Sequence, residues 1–134
     1  MAVQDLTQDP MMKHLTEALE RGEDIGHYGR LVFAMVARHF LSEDELLEHL
    51  QKDSTFSEQD AKALVVQVQG RDYNPPRRER ILEWQAQQEF PICPNADDPD
   101  ACNVYKHLKF PDEVYESIQE YQQKKVEAQE EHAA

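Results

Sequence analysis

Two cysteines and the histidines around them are the first residues in this sequence with chemistry to offer. Cys93 and Cys102 are the only cysteines, and they lie in a stretch rich in Pro, Asp and Asn. His107 follows them, and the fold could bring His27 beside them. Zinc ligands usually come in pairs about two to four residues apart, so this wider spacing is a poor match. We interpret the pair as two reduced, partly buried thiols.

A run of arginines is the other group with chemistry to offer. Between positions 71 and 80, four arginines face Asp72 and Glu79, a local charge of 4 − 2 = +2 in a chain of formal charge −13. The four are Arg71, Arg77, Arg78 and Arg80. Such a patch can receive a phosphate where the fold adds further cations, or it can simply pair with neighbouring carboxylates. The negative total charge opposes indiscriminate binding of nucleic acid or anionic lipid.

No known catalytic arrangement is recognisable in the sequence. It contains no glycine-rich phosphate loop, nucleophile elbow or zinc-protease helix, and only four glycines are present to build such turns. The carboxylates fall at helix caps and on exposed helix faces, where solvation is far commoner than acid–base work. We therefore assign no catalytic residue and predict that the protein is not an enzyme.

Helical periodicity in the apolar residues predicts the elements that position these residues. It predicts an all-α fold, a compact irregular bundle of about six helices with a Pro-rich connector and a Cys-bearing loop. The predicted helices run from Pro10 to Gly22, from Arg30 to Phe40, from a capping box at Ser42, from Ser57 to Gly70, from Arg77 to Glu89 and onward from Pro111. Prolines exclude a helix at 71–76, and the loop at 91–103 carries both cysteines.

Length and hydropathy bound the organisation of the chain. The 134 residues suit one domain, 1–134, with flexible ends at 1–9 and 127–134. No run approaches the roughly 18 apolar residues of a membrane span, and the start lacks the features of a signal peptide. We therefore expect a cytoplasmic protein with no membrane partner.

Four short motifs, taken in order, resemble the C-terminal iron–sulfur domain of the large subunit of archaeal and eukaryotic DNA primase. They are an opening helix at Met11, the element His27-Tyr28-Gly29-Arg30 entering a long apolar helix, the segment Asp72-Tyr73-Asn74-Pro75-Pro76-Arg77-Arg78, and Cys93-Pro94 with Cys102. The resemblance covers most of the chain. It implies a helical domain that does not polymerise but grips the template–primer junction and the 5′ triphosphate end.

The resemblance also implies residues for binding phosphate. His27 and Arg30 are the positions that it carries over to this role. An arginine near the start of a helix, beside free amides and the arginine run, can build a local anion pocket. The predicted phosphate-binding set is therefore His27, Arg30, Arg71 and Arg77. The alternative for Arg30 is an ion pair with Asp24 or Asp72.

The sequence departs from that family at the cluster itself. A four-iron four-sulfur cluster there needs four thiolates, and this chain has two. Met11 stands at the first ligand position and Arg78 at the second, and arginine cannot coordinate iron. Met11, Arg78, Cys93 and Cys102 are thus predicted to be degenerate cluster positions, with no metal or other cofactor bound. Arg78 is expected to bond Asp97, Asp98 or loop carbonyls instead.

Three functions remain open at the level of sequence. The first is a cluster-less, primase-like accessory domain that binds nucleic-acid 5′ ends, a template–primer or a primase-type protein partner. The second is a protein–protein interaction or regulatory module that has lost both metal and nucleic acid, as the acidity suggests. The third is a metal or iron–sulfur protein that pools the thiolates of Cys93 and Cys102 across an oligomer.

Overall fold

A computed structural model describes residues 2–70, 74–99 and 101–118, and all regular structure in those ranges is helical. The helices are α1 (Ala2–Leu6), α2 (Pro10–Glu20), α3 (Gly26–Ala37), α4 (Glu43–Gln51), α5 (Glu58–Gly70), α6 (Arg78–Gln85) and α7 (Val104–His107). A further helical stretch, α8, covers residues 112–118. The predicted all-α class is confirmed.

Helix α3 forms the centre of the bundle. Its residues 32–37 are buried at six consecutive positions, so this second half of the helix is enclosed on every side. It packs against α2, α4, α5 and α6, while α4 also packs on α5 and α2. The apolar circumference of this segment predicted a central helix, although α3 begins at Gly26 and ends at Ala37, a few residues earlier than expected.

Local capping explains where α2 and α4 begin. The Asp9 carboxylate accepts a hydrogen bond from the Met12 amide at 2.9 Å, and Pro10 occupies the first helical position. Ser42 and Glu45 form the reciprocal capping box that the sequence predicted, with the Glu45 carboxylate accepting from the Ser42 amide at 3.0 Å. These starts are fixed by residues only three positions apart, which a sequence can reveal.

The beginning of the chain, which belongs to an end that we predicted to be flexible, contains a helix. Residues 2–6 form α1, and both Leu6 and Asp9 are fully buried. Leu6 adds an apolar anchor to the core, and Asp9 is held by its role as the cap of α2. The other predicted flexible end, 127–134, lies outside the described residues. Within the described part, no helix combines the length and apolar character needed to cross a membrane.

Candidate functional site

The two cysteines form a disulfide. Their Cα atoms lie 5.7 Å apart, and each residue is at most 3% exposed. The prediction of two reduced thiols is therefore wrong. The loop between them turns back on itself, which brings residues nine positions apart into the range that a disulfide can span. Bonded in this way, Cys93 and Cys102 offer no thiolate to a metal.

Arg78 clamps the loop that the disulfide closes. Its Nε donates a hydrogen bond to the Ala101 carbonyl at 3.1 Å. One terminal nitrogen donates to the carbonyls of Ala96 and Asp98, at 2.8 and 3.3 Å. Hydrogen bonds from a guanidinium are charge-assisted, and the rigid fork suits several acceptors at once. Arg78 is thus bound to loop carbonyls, one of the outcomes that the sequence led us to expect.

Met11 completes the set of four positions that the resemblance singled out. It is fully buried, and it lines a cavity of about 170 Å³ together with Cys102 and Ala101. Ala101 is also a carbonyl partner of Arg78. Met11, Arg78, Cys93 and Cys102 therefore surround one loop, although they come from three separate parts of the sequence.

These four side chains do not fit a four-iron four-sulfur cluster. Such a cluster needs four thiolates, whereas here two sulfurs bond each other, one belongs to a thioether and the fourth position holds a cation. The Arg78 donors are directed at loop carbonyls, and a positive charge in that place would repel iron. The described residues also contain no group of three or more His, Cys, Asp or Glu arranged to hold a metal ion.

Arg30 is bound within the protein. One terminal nitrogen lies 3.0 Å from a carboxylate oxygen of Asp24 and 3.0 Å from one of Asp53. The guanidinium carbon lies 4.4 Å from the centre of the Phe56 ring, a cation–π contact. The side chain is only 15% exposed. The structure thus favours the ion pair with Asp24 that was our alternative for this residue.

Asp53 is the centre of this buried network and was not singled out from the sequence. Its carboxylate accepts hydrogen bonds from the Ile25 amide, from the Thr55 amide and hydroxyl, and from Arg30. Burial opposes its ionisation, but the hydrogen bonds from Thr55, Arg30 and Ile25 outweigh burial and hold the pKa of Asp53 below its usual value. Asp53 is therefore an ionised residue that ties the start of α3 to the end of α4.

The remaining predicted phosphate-binding residues do not converge. His27 is exposed at the start of α3, with its ring packed edge-on against Tyr28. Arg77 immediately precedes α6, whereas the contacts with the start of α3 come from Trp84 and Gln88 at the other end of that helix. The eight residues of α6 correspond to about 12 Å of helix. Arg71 lies outside the described residues.

A cavity of about 410 Å³ opens beside Arg77 at the amino end of α6. Its lining also includes Arg78, Glu79, Asn103, Tyr105 and Tyr115. Burial raises the pKa of Tyr105 to about 12, so its hydroxyl stays neutral and donates to the Pro75 carbonyl. Arg77 itself is exposed and forms no ion pair with a carboxylate in the described parts of the chain. The cavity thus presents two guanidinium groups, those of Arg77 and Arg78, neither of which forms an ion pair with a described carboxylate, and the carboxylate of Glu79.

Gln88 holds the start of α3 in place. Its amide nitrogen donates to the carbonyls of Ile25 and Phe90, at 2.9 and 3.0 Å, and its oxygen accepts from the Tyr28 amide at 2.9 Å. Gly26 adopts a φ of +78°, and a Cβ there would meet the Gln88 side chain at 2.5 Å. Gln88 has no signal in the sequence, because the Ile25 and Tyr28 groups that it bonds lie about 60 positions earlier.

Replacing Gln88 with Ala is expected to lower the free energy of unfolding by about 1–2 kcal/mol, because three backbone groups lose their partner. The matched control is Gln87→Ala, since that neighbour is exposed and its side chain hydrogen-bonds, among the described residues, only to the Tyr28 hydroxyl and the Glu83 carbonyl. Urea denaturation followed by circular dichroism measures both. Equal effects of the two variants would contradict the role assigned to Gln88.

The chain matches no family model, no curated protein and no solved structure.

Proposed function

We propose that the chain is a cluster-less, non-catalytic relative of the C-terminal domain of the primase large subunit, and that it binds the 5′ end or template–primer junction of a nucleic acid. One observation carries the proposal. Met11, Arg78, Cys93 and Cys102, which stand at the cluster-ligand positions of that family, surround a single loop in this fold. Met11 and Arg78, from two distant segments, thus meet the loop that Cys93 and Cys102 close, as the resemblance implies.

The loop contacts also suggest how such a domain can exist without its cluster. In the family, four thiolates hold distant segments together around the iron. Here the disulfide closes the loop, and Arg78 joins the start of α6 to the carbonyls of that loop. A covalent bond and a charge-assisted fork thus take over the structural work of the cluster.

The nucleic-acid contact is best placed at Arg77. Arg30 is neutralised by two carboxylates, so it has little charge left for a phosphate. Arg77 faces the cavity at the amino end of α6, where the first backbone amides of the helix have no partner within the helix. A guanidinium beside such amides suits a terminal phosphate group. The net charge of −13 opposes a long polyanion, so the contact is limited to an end or a junction.

Binding to a 5′-triphosphorylated duplex with a single-stranded overhang tests this proposal. We expect measurable affinity at low salt, and we expect Arg77→Ala to weaken it about threefold to tenfold. The slope of log K against log salt should become less negative by about one, because one phosphate contact is lost. Arg21→Ala is the matched control, since Arg21 is exposed and pairs only with Glu23. Fluorescence anisotropy across a salt series measures all three proteins.

Two results would contradict the proposal. Undetectable affinity of the unaltered chain at low salt would remove nucleic-acid binding altogether. An equal loss in Arg77→Ala and Arg21→Ala would mean that the attraction is general rather than placed at α6. Arg30→Ala is less informative as a variant, because it leaves Asp53 charged, buried and without its cation.

The neutralised state of Arg30 favours a second candidate, a module that binds protein and no longer binds nucleic acid. Asp24 and Asp53 occupy the guanidinium that the family resemblance would assign to phosphate. In that case the triphosphorylated duplex fails to bind while the fold remains intact by circular dichroism. The third possibility from sequence, a metal protein that pools thiolates, has less support because both sulfurs are committed to a disulfide.

A further inference from the structure

A groove between α3 and α6 shares Arg77 with the cavity at the amino end of α6, but its other lining residues are different. It has a volume of about 440 Å³. Its apolar lining comes from Leu31, Met35, Pro76 and Trp84, and Arg77 and Arg80 complete it. Met35 and Pro76 are buried, whereas Leu31 and Trp84 are partly exposed. The groove therefore joins an apolar floor to a rim that carries two cations.

The two arginines of the rim are available to a partner. Both are exposed, and the described carboxylate nearest to Arg80 in an ion pair is that of Glu83, 3.7 Å away. Both members of that pair are more than 60% exposed, so water competes with it and the pair is weak. Two cations beside an apolar floor are unusual on a chain of charge −13 and complement carboxylates on an apolar surface.

The spacing of the floor indicates the shape of the partner. Leu31 and Met35 are four positions apart on α3, so they lie one helical turn apart along the groove. An amphipathic helix presents its own apolar residues at the same interval, which is the basis of helix-in-groove recognition. Tyr28 stacks on Trp84 with ring centres 5.6 Å apart, so the indole is already held in position to line such a groove.

The net charge of the chain favours a peptide over a nucleic acid as the occupant of the groove. A polyanion must bring many phosphates close to a chain of charge −13, whereas a peptide need bring only the two or three carboxylates that the rim can pair. At physiological salt the rim acts over about 8 Å, which is enough for those carboxylates. Burial against the apolar floor contributes favourable binding free energy for aliphatic side chains, whereas phosphates gain no such contribution.

We propose that this groove docks an acidic amphipathic helix of a partner protein. Two apolar residues of the partner, one turn apart, fill the floor, and its Asp or Glu side chains pair with Arg77 and Arg80. The proposal goes beyond the binding of nucleic-acid ends and does not depend on it, because Leu31, Met35 and Arg80 do not line the cavity at the amino end of α6.

Trp84 makes a direct experiment possible, because it is the only tryptophan in the chain and it lines the groove. The probe is a synthetic helical peptide of about four turns, free of Trp and Tyr, with Leu one turn apart and Glu beside each Leu. A second peptide carries Lys in place of every Glu. We expect the Glu peptide to change Trp84 emission in a saturable manner and the Lys peptide to bind at least about tenfold more weakly.

A charge reversal in the protein sharpens the test. Arg80→Glu should weaken binding of the Glu peptide about tenfold and strengthen binding of the Lys peptide, because the charge of the two rim positions falls from +2 to 0. Arg21→Glu is the control, since it changes the net charge equally at an exposed site outside the groove. It should leave the preference for the Glu peptide in place.

Three outcomes would overturn the proposal. One is no change in Trp84 emission with either peptide at millimolar concentration. Another is equal weakening by Arg80→Glu and Arg21→Glu. The last is a single-stranded oligonucleotide that saturates Trp84 emission more tightly than the Glu peptide, which would make the groove a nucleic-acid site. The 5′-end assay on Arg77→Ala is read separately, so either proposal can fail without the other.

Discussion

Replacing Asp53 with Ala is expected to lower the free energy of unfolding by about 3–5 kcal/mol. The Asp53 carboxylate is fully buried, and its removal leaves the Ile25 amide without its partner and leaves Arg30 with only the exposed carboxylate of Asp24. Loss of the buried partner of a largely buried cation is among the most costly defects that a single substitution can create. Urea denaturation followed by the emission of Trp84 or by circular dichroism measures the change.

Asp24→Ala is the matched control for that experiment. Its carboxylate lies at the same 3.0 Å from the same Arg30 nitrogen, but it is 55% exposed. We expect a loss below about 1 kcal/mol, because water replaces most of what an exposed ion pair contributes. A double variant, Arg30→Met with Asp53→Leu, should recover part of the stability that Asp53→Ala loses, because it removes both charges. Similar losses in Asp24→Ala and Asp53→Ala would refute the special role of the buried carboxylate.

The same carboxylate gives the fold a dependence on pH with a definite sign. The pKa of Asp53 is lowered in the folded state, so the folded chain binds its proton less readily than the unfolded chain. Its contribution is complete above about pH 4, the unfolded pKa, and is lost as the pH falls through the lower folded value. Stability of the unaltered chain should therefore decline more steeply below about pH 4 than that of Asp53→Ala.

Reduction of the disulfide is the second large effect. We expect the free energy of unfolding to fall by about 2–3 kcal/mol, because the bond closes a loop whose ends are nine positions apart and restricts the unfolded chain. Denaturation with and without dithiothreitol measures the difference. The double variant Cys93→Ser, Cys102→Ser should be as unstable as the reduced chain and should not respond to dithiothreitol.

Counting thiols provides an independent control. Alkylation followed by mass spectrometry should label no cysteine in the native oxidised chain and two after reduction and unfolding. Stability that is unchanged by dithiothreitol, together with two labelled thiols before reduction, would show that the disulfide does not form in solution. Arg78 would then be the main residue holding the loop, through its three carbonyl contacts.

Local features of the fold could be predicted from sequence, and interactions between distant segments could not. The start of α2 at Pro10 and the capping box at Ser42 depend on residues within one helical turn, and both were predicted. The pairing of Arg30 with Asp53 joins residues 23 positions apart, and nothing in the local pattern distinguishes Asp53 from other exposed-looking acids. Burial decides which carboxylate matters, and burial depends on the tertiary fold.

In the candidate site, too, local features could be predicted from sequence and contacts between distant segments could not. Arg78 was expected to bond loop carbonyls, but which ones became clear only when the loop was folded. The disulfide was missed because the cysteine content of the chain indicates a reduced pair, whereas the geometry of a Pro- and Asn-rich loop decides whether the two Cα atoms approach. The groove at Trp84 has no sequence signature, since its lining comes from α3, the connector and α6.

The burial of residues 32–37 of α3 on every side has a consequence for how this protein can change over evolutionary time. Six successive residues of that helix face neighbours on all sides, so each is restricted to side chains of similar volume. Exposed positions beside α6, such as Arg77 and Arg80, carry no such restriction, because their side chains lie in water. New binding specificities can therefore arise by substitution at such exposed positions while the centre of the bundle stays constant.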